Sequence, residues 1–350
     1  MRYRIFMRNG CKTGSCLFLL SLLLILATGC KGGTERVSGQ VAITMSASVK
    51  QTKAIISSID DLKQNHSIGI YGFKEQNTNS ANKFLVFDNQ PLHYSNESGW
   101  SYSPERYWDM QTRYSFVAYA PFTVENAQNS SYNSIIINKI PQYQNANDAS
   151  ALDYIVALSN NPAKTYVENY NKTVNLVFHH ILANFQVWAY YEGFDTEFVI
   201  TGMSLGANSN GQKVPAADAV RSYTQQFDSE RADGVFNSGS WATYRVTLPV
   251  GDFTVPKESA NMAQVANLLV VPFIADENGV AKIPLTIYYT KNGVEQTPAT
   301  VSIGISAFES DNKYRLDLKF EQKGATVVPV NIQIKNWTET EVDPSDIHNW

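Results

Sequence analysis

The sequence predicts an all-β chain made of tandem β-sandwich domains. Three observations carry this. Apolar residues recur mainly every second position. No stretch longer than about three turns keeps a helical period. Short apolar runs are divided by breaks rich in Asn, Ser, Gln and Gly, the spacing typical of sandwiches. With 350 residues the chain exceeds what one core usually serves, ~250–300, so two domains are expected.

The strands follow in order. In Val41 to Val49 the residues Val41, Ile43, Met45, Ala47 and Val49 share one face, and Ala42, Thr44, Ser46 and Ser48 share the other. Ser67 to Phe73 and Lys83 to Phe87 come next. Tyr114 to Ala120 stops at Pro121, which cannot continue a central ladder. Ser134 to Asn138 and Leu152 to Ala157 close the first half. The polar stretch from Asn160 to Lys172 is the longest break before a long strand, which puts the domain boundary at 171/172.

In the second half, Val174, Leu176 and Phe178 alternate in Thr173 to His179. The apolar parity then moves to Ile181, Ala183, Phe185 and Val187, so a bulge or turn is expected at His179-His180. Phe198 to Leu205, Trp241 to Leu248 and Leu268 to Val271 read as strands. Asp218 to Tyr223 reads as a short helix. Ile283 to Thr290, Asn292-Gly293 and Val294 onward form a hairpin with a favoured turn. Tyr314, Leu316, Leu318 and Phe320 alternate with charged residues, and Val330 to Lys335 alternates again.

The N-terminus is an address. Arg2, Arg4, Arg8 and Lys12 precede an apolar run from Cys16 to Ala27 that is shorter than the ~20 residues a membrane span needs. Leu26-Ala-Thr-Gly-Cys30 resembles a bacterial lipobox, with Ala27 where leucine is more usual. The expectation is a signal peptide over 1–29 and lipidation at Cys30, followed by domains at 30–171 and 172–350. Acyl chains on Cys30 would anchor the protein to a membrane.

Composition removes several function classes. The formal net charge is -4, and loss of residues 1–29 would take four positive charges and no negative ones, giving -8. An acidic chain is a poor phosphate-backbone binder, so no nucleic-acid partner is expected. All three cysteines, Cys11, Cys16 and Cys30, lie in the first thirty residues. The body therefore has no disulfide framework and no cysteine-based zinc site. His66, His93, His179, His180 and His348 lack metal-motif spacing, so no metal and no cofactor is expected. Of the adjacent pair His179 and His180, one is expected packed and one exposed.

Gly202-Met-Ser-Leu-Gly206 matches the nucleophile-elbow pattern. The helix it needs is missing, since Ala207 to Gln212 reads as loop, and the only later histidine is His348. A strand with small residues is favoured over catalysis. Trp100, Tyr102, Tyr107 and Trp108 cluster around Pro104. They read either as a sugar-stacking platform or as a loop folded back onto the core, the latter favoured. The platform is the basis of an alternative reading, a surface glycan-binding lipoprotein.

In sum of order rather than of any one motif, the chain resembles the fimbrillin family of Bacteroidales lipoproteins, the type V pilins and their Mfa-like relatives. Val41-Ala-Ile-Thr-Met-Ser is similar to the family's first strand, and Thr52-Lys-Ala54 to its Thr-Arg-Ala step, with lysine for arginine. His66 to Phe73 resembles its "IGVY" strand, and Tyr107-Trp108 with Tyr114 to Pro121 its aromatic step. Asp153 to Ala157, Val174 to Ala183, Asn312 to Leu318 and Val330 to Trp337 resemble later strands. The resemblance implies two transthyretin-like β-sandwich domains and a structural, adhesive role in a cell-surface fimbria (pilus). It implies export as an outer-membrane lipoprotein and no enzyme activity. It also implies assembly with other fimbrial subunits by protease-triggered strand exchange, with a host or bacterial surface receptor as a further partner.

The residues make such an exchange physically sensible. Arg36, Lys50 and Lys53 are the candidate cleavage sites. A cut after Lys50 or Lys53 would free Val41 to Val49 and leave an apolar groove; a cut after Arg36 would shed only the lipid leash. A neighbour's strand could refill the groove. Val330, Ile332 and Ile334 mark the candidate donor, which reads equally well as an ordinary edge strand.

Overall fold

A computed structural model describes residues 40–49, 56, 58–65, 67–76, 79–109, 112–125, 127–130, 134–159, 172–193, 196–206, 214–226, 234–242, 245–275, 282–321 and 326–336. In chain order the strands are β1 Met45–Val49, β2 Ile68–Gln76, β3 Asn79–Ser95, β4 Gly99–Ser101, β5 Thr112–Ala120, β6 Ala127–Ser130, β7 Ser134–Pro141, β8 Tyr143–Asn145, β9 Ile155–Ser159, β10 Val174–His180, β11 Ala183–Glu192 and β12 Phe198–Leu205. They continue as β13 Val220–Gln226, β14 Val235–Phe236, β15 Val246–Thr247, β16 Phe253–Thr254, β17 Ala263–Val270, β18 Phe273–Ile274, β19 Pro284–Lys291, β20 Val294–Glu295, β21 Ala299–Ser302, β22 Ala307–Phe308, β23 Asn312–Glu321 and β24 Thr326–Asn336. The one α-helix among the described residues is α1, Ile59–Asn65. The chain is all-β, as its two-residue period predicts.

The largest sheet has the order β1-β10-β9-β5-β2-β3-β4. Its inner face supplies a core of Ile68, Ile70, Phe87, Phe116, Leu176 and Phe178, among others. A five-stranded sheet, β24-β23-β11-β17-β8, faces the β12–β19 sheet across a second core built on Phe185, Phe198, Ile287, Leu316 and Phe320. A third cluster joins Tyr71, Tyr119 and Tyr154 to Ile181, Leu182, Leu269 and Val271. The expected boundary at 171/172 precedes β10, which belongs to the seven-stranded sheet and pairs with both β1 and β9. The parity change after His180 is a bend at Ile181-Leu182 between β10 and β11.

The hairpin at Asn292-Gly293 forms as its sequence requires. Both residues have positive φ, 49° and 74°, the pair of values that matches the twist of the flanking strands. Three expectations fail locally. Asp218 to Tyr223 is no helix: Val220–Gln226 is strand β13, paired with β7 and β14. Of the strand expected over Trp241 to Leu248, Val246–Thr247 is the one regular part among the described residues, with an isolated bridge from Trp241 to Pro215. His179 and His180 are both buried, at the end of β10 where the strand runs on into the buried Ile181 and Leu182.

Candidate functional site

The segment from Val41 to Val49 lies along the edge of the seven-stranded sheet and changes partner halfway. From Met45 to Val49 it runs parallel to β10, with Met45 opposite Val174 and Val49 opposite Phe178. Before that it pairs antiparallel with a loop. Ile43 N donates to Arg106 O at 2.9 Å, and Trp108 N donates to Val41 O at 2.9 Å. Each half is thus bonded on one flank by a different stretch of chain.

Its two faces differ as the alternation demands. Ile43, Met45 and Val49 are buried in the first core, and Val41 and Ala47 are half-buried against it. On the outer face Thr44 Oγ1 meets Thr173 Oγ1 at 3.0 Å, Ser46 Oγ donates to Asn175 Oδ1, and Ser48 is exposed. Tyr102 adds a clasp: its hydroxyl donates to Ile43 O at 2.7 Å. Burial pushes the Tyr102 hydroxyl up to about 12, against the smaller opposing pull of its bond to Arg106 O, so it remains a donor.

The other expected positions divide. Cys30, Arg36, Lys50 and Lys53 lie outside the described residues. Val330, Ile332 and Ile334 fall in β24, the edge strand of the five-stranded sheet, whose backbone pairs Ile332 with Leu316 and Ile334 with Tyr314. The ladder shifts between Asp317 and Leu318, so Val330 sits at an irregularity. The side chains of these three lie outside the described residues.

The aromatic cluster is folded inward. Trp108 is 8% exposed and packs edge-on against Tyr114 and Phe116; Trp100 and Tyr102 pack against the same core. That arrangement removes Trp108 from any stacking platform. Ser204 is likewise buried inside β12, between Thr247 and Thr286, with Tyr288 Oη 3.4 Å from its hydroxyl. A strand residue so enclosed cannot stand at the tip of a nucleophile elbow. Among the described residues no group of three or more His, Cys, Asp or Glu side chains could hold a metal ion. No helix is long and apolar enough to cross a membrane among the residues described.

Sequence reasoning missed the parts that fasten the segment. Tyr102, Thr173 and Asn175 carry no periodic signal of their own; they become relevant only when distant stretches meet. It also missed a fully buried pair beside the segment. His180 Nδ1 and Asp153 Oδ1 lie 2.9 Å apart, and Ile56 N donates to Asp153 Oδ2 at 3.5 Å. Asp153 therefore ties the chain just downstream of the expected cleavage sites to the end of β10.

Comparison with known proteins agrees with this architecture. A family model described as fimbrillin-like matches residues 52–337, beginning just past the edge segment. No curated protein matches the chain. A crystal structure of a fimbrial protein from Bacteroides vulgatus ATCC 8482 is similar with a TM-score of 0.58 and 16% identity, covering 85% of this chain and 99% of that one. The C-terminally truncated tip fimbrial protein Mfa3 from Porphyromonas gingivalis is similar with a TM-score of 0.38 and 12% identity, covering 85% and 98%. The likeness to the Bacteroides vulgatus protein is one of fold.

Proposed function

The chain belongs to the fimbrillin-like family, and from that premise we propose that it is a fimbrial subunit assembled by exchange of its first strand. The family is one of fimbrial structural and adhesion proteins, not of enzymes. In the proposed route the chain is exported as an outer-membrane lipoprotein anchored through Cys30. A trypsin-like cut after Lys50 or Lys53 detaches Val41 to Val49, and a strand from the next subunit takes the vacated edge. The body remaining is read as two transthyretin-like sandwiches in tandem, the first built on the core that reaches Phe178 and the second on the core that gathers Ala183 to Phe320 together with Tyr143 of β8.

One observation carries this reading. The segment is a one-sided edge strand whose inner face completes a core, and its backbone ladder is shared between Arg106–Trp108 and β10, with one added bond from the Tyr102 hydroxyl. Burial of Ile43, Met45 and Val49, at ~1.5–3 kcal/mol each, holds it by at most about 9 kcal/mol. An equivalent strand from outside recovers the same burial and the same ladder, so exchange is close to neutral once the covalent link is cut. The start of the family match at Thr52 supports the same division.

N-terminal sequencing of the protein recovered from the cell surface tests it. A start at Gln51 or Ala54, together with a heat-resistant ladder on a gel, is the expected result. A blocked, lipidated Cys30 on all surface material, with subunits that stay monomeric after nicking, would overturn it.

A further inference from the structure

We propose that the cavity between α1 and the β3–β4 hairpin binds a neutral saccharide. It is an open cleft of about 330 Å³ lined by Asp60, Lys63, Gln64, Tyr94, Ser95 and Asn96. Small-molecule pockets begin near ~300 Å³, so this one suits one or two sugar rings.

Both walls are held from behind. In α1, Leu62 is fully buried in the first core, and Ser58 Oγ caps the helix by accepting from Asp61 N at 3.1 Å. In the hairpin, Tyr94 stands opposite Trp100 with ring centroids 5.4 Å apart, and Trp100 packs against that same core. Ser95 Oγ accepts from Ser98 N at 3.0 Å, which commits it to the turn that presents Asn96. The backbone that carries the lining is therefore positioned before any ligand arrives, which lowers part of the ordering cost of binding.

The lining chemistry selects the ligand. Lys63 Nζ lies 3.3 Å from Asp60 Oδ1 and 4.9 Å from the centre of the Tyr94 ring. Its charge is already answered, and no second cation lines the cavity, so phosphates and sugar acids lack a partner. An apolar ligand would strip water from five polar side chains and return no hydrogen bonds. What remains is a carboxylate with a second oxygen to offer and the amides of Gln64 and Asn96. Neither amide hydrogen-bonds to another described residue. Amides that both donate and accept, a carboxylate and an aromatic ring match a pyranose, whose adjacent hydroxyls donate and accept while its C–H face rests on the ring. This site is separate from the strand-exchange reading and stands or falls without it.

Saturation-transfer NMR on the full-length protein tests the assignment, with galactose, mannose, fucose, N-acetylgalactosamine and N-acetylneuraminic acid as probes. The expected result is saturable contact with at least one neutral sugar, with a dissociation constant on the order of 1–10 mM, weakened about tenfold in Asp60→Ala and in Asn96→Ala. Both positions are exposed, and an unchanged thermal midpoint verifies that the variants fold. Absence of contact with every neutral sugar would overturn the proposal. So would tighter binding of N-acetylneuraminic acid than of any neutral sugar, or contact that is unaltered in both variants.

Discussion

The Tyr102 hydroxyl donates to the Ile43 carbonyl at 2.7 Å, and so fastens the upstream half of an edge segment whose downstream half leans on β10. A cut after Lys50 or Lys53 would fray the β10 side first and leave the Tyr102 side gripping. Tyr102→Phe removes that grip while keeping the ring against Phe87. One hydrogen bond of about 1 kcal/mol corresponds to roughly fivefold faster loss of the nicked segment. Mass spectrometry of the nicked protein over time after gel filtration measures this; equal rates in both proteins would show that the clasp does not hold the strand.

The two faces of the segment should respond oppositely to substitution. Met45 is buried and Ser48 is exposed on the same strand. Met45→Ala is expected to cost about 2–4 kcal/mol, since it opens a cavity at the core edge. Ser48→Lys is expected to stay within about 0.5 kcal/mol. Denaturant midpoints on the uncut protein decide it, and similar losses at both positions would contradict the register with β10.

Where the sequence was legible, apolar side chains marked the buried face: β1, β10, β19, β23 and the Asn292-Gly293 turn were all readable from alternation and turn chemistry. Where it was not, polar side chains did the burying. In β13 the inward residues are Arg221, Tyr223 and Gln225, and an apolar count sees no alternation there. Arg221 is accommodated because its guanidinium donates to Gln142 Oε1 at 2.8 Å and to Asn237 O at 2.7 Å, partners 79 and 16 residues away. The histidine pair misled for the same reason, since Asp153 satisfies His180 from 27 residues away. The helix α1 did carry a local signal, Ser58 followed by Asp60 and Asp61, but seven residues are too few for a period. The faces of the candidate segment were thus visible in the sequence, and its fastenings were not.

Asp153 and His180 are each fully buried and 2.9 Å apart, so neither has water to replace the other. Asp153→Ala should therefore cost about 3 kcal/mol, and it also releases the Ile56 amide. The same change should speed trypsin cleavage at Lys50 and Lys53 in the otherwise folded protein, because Ile56 is the anchor just downstream. Cleavage rates under native conditions, compared with those of a core variant of equal stability loss such as Leu316→Ala, separate a local loosening from a global one. Equal rates in the two variants would remove the anchoring role.

Alkaline pH should destabilise the fold through buried tyrosines. Burial pushes both Tyr102 and Tyr119 up to about 12 from 10.0, against hydrogen bonds to backbone carbonyls that pull the other way. A group whose pKa is higher folded than unfolded holds its proton longer in the fold. Its contribution is complete below pH 10 and is lost as the pH rises towards 12. The denaturant midpoint should stay flat to about pH 10 and then fall, with the fall reduced in Tyr102→Phe. A decline of equal size in that variant would mean other groups control the alkaline limb.

Gly69 explains why the strand after α1 tolerates no side chain at that position. It pairs with Tyr119 across β2 and β5, and a Cβ on Gly69 would lie 2.4 Å from the Tyr119 ring. The ring cannot retreat, because its hydroxyl is held at 2.7 Å by both Asn89 Oδ1 and Thr123 O. Gly69→Ala is therefore expected to cost about 1–3 kcal/mol by overpacking, where an exposed glycine such as Gly251, with nothing near its Cβ, should accept alanine with little change. In Gly69→Ala/Tyr119→Ala the added methyl fits the space the ring vacated, so the double variant should lose less than the two single losses together. Simple additivity in thermal or denaturant melts would show that the ring and the glycine are not in contact.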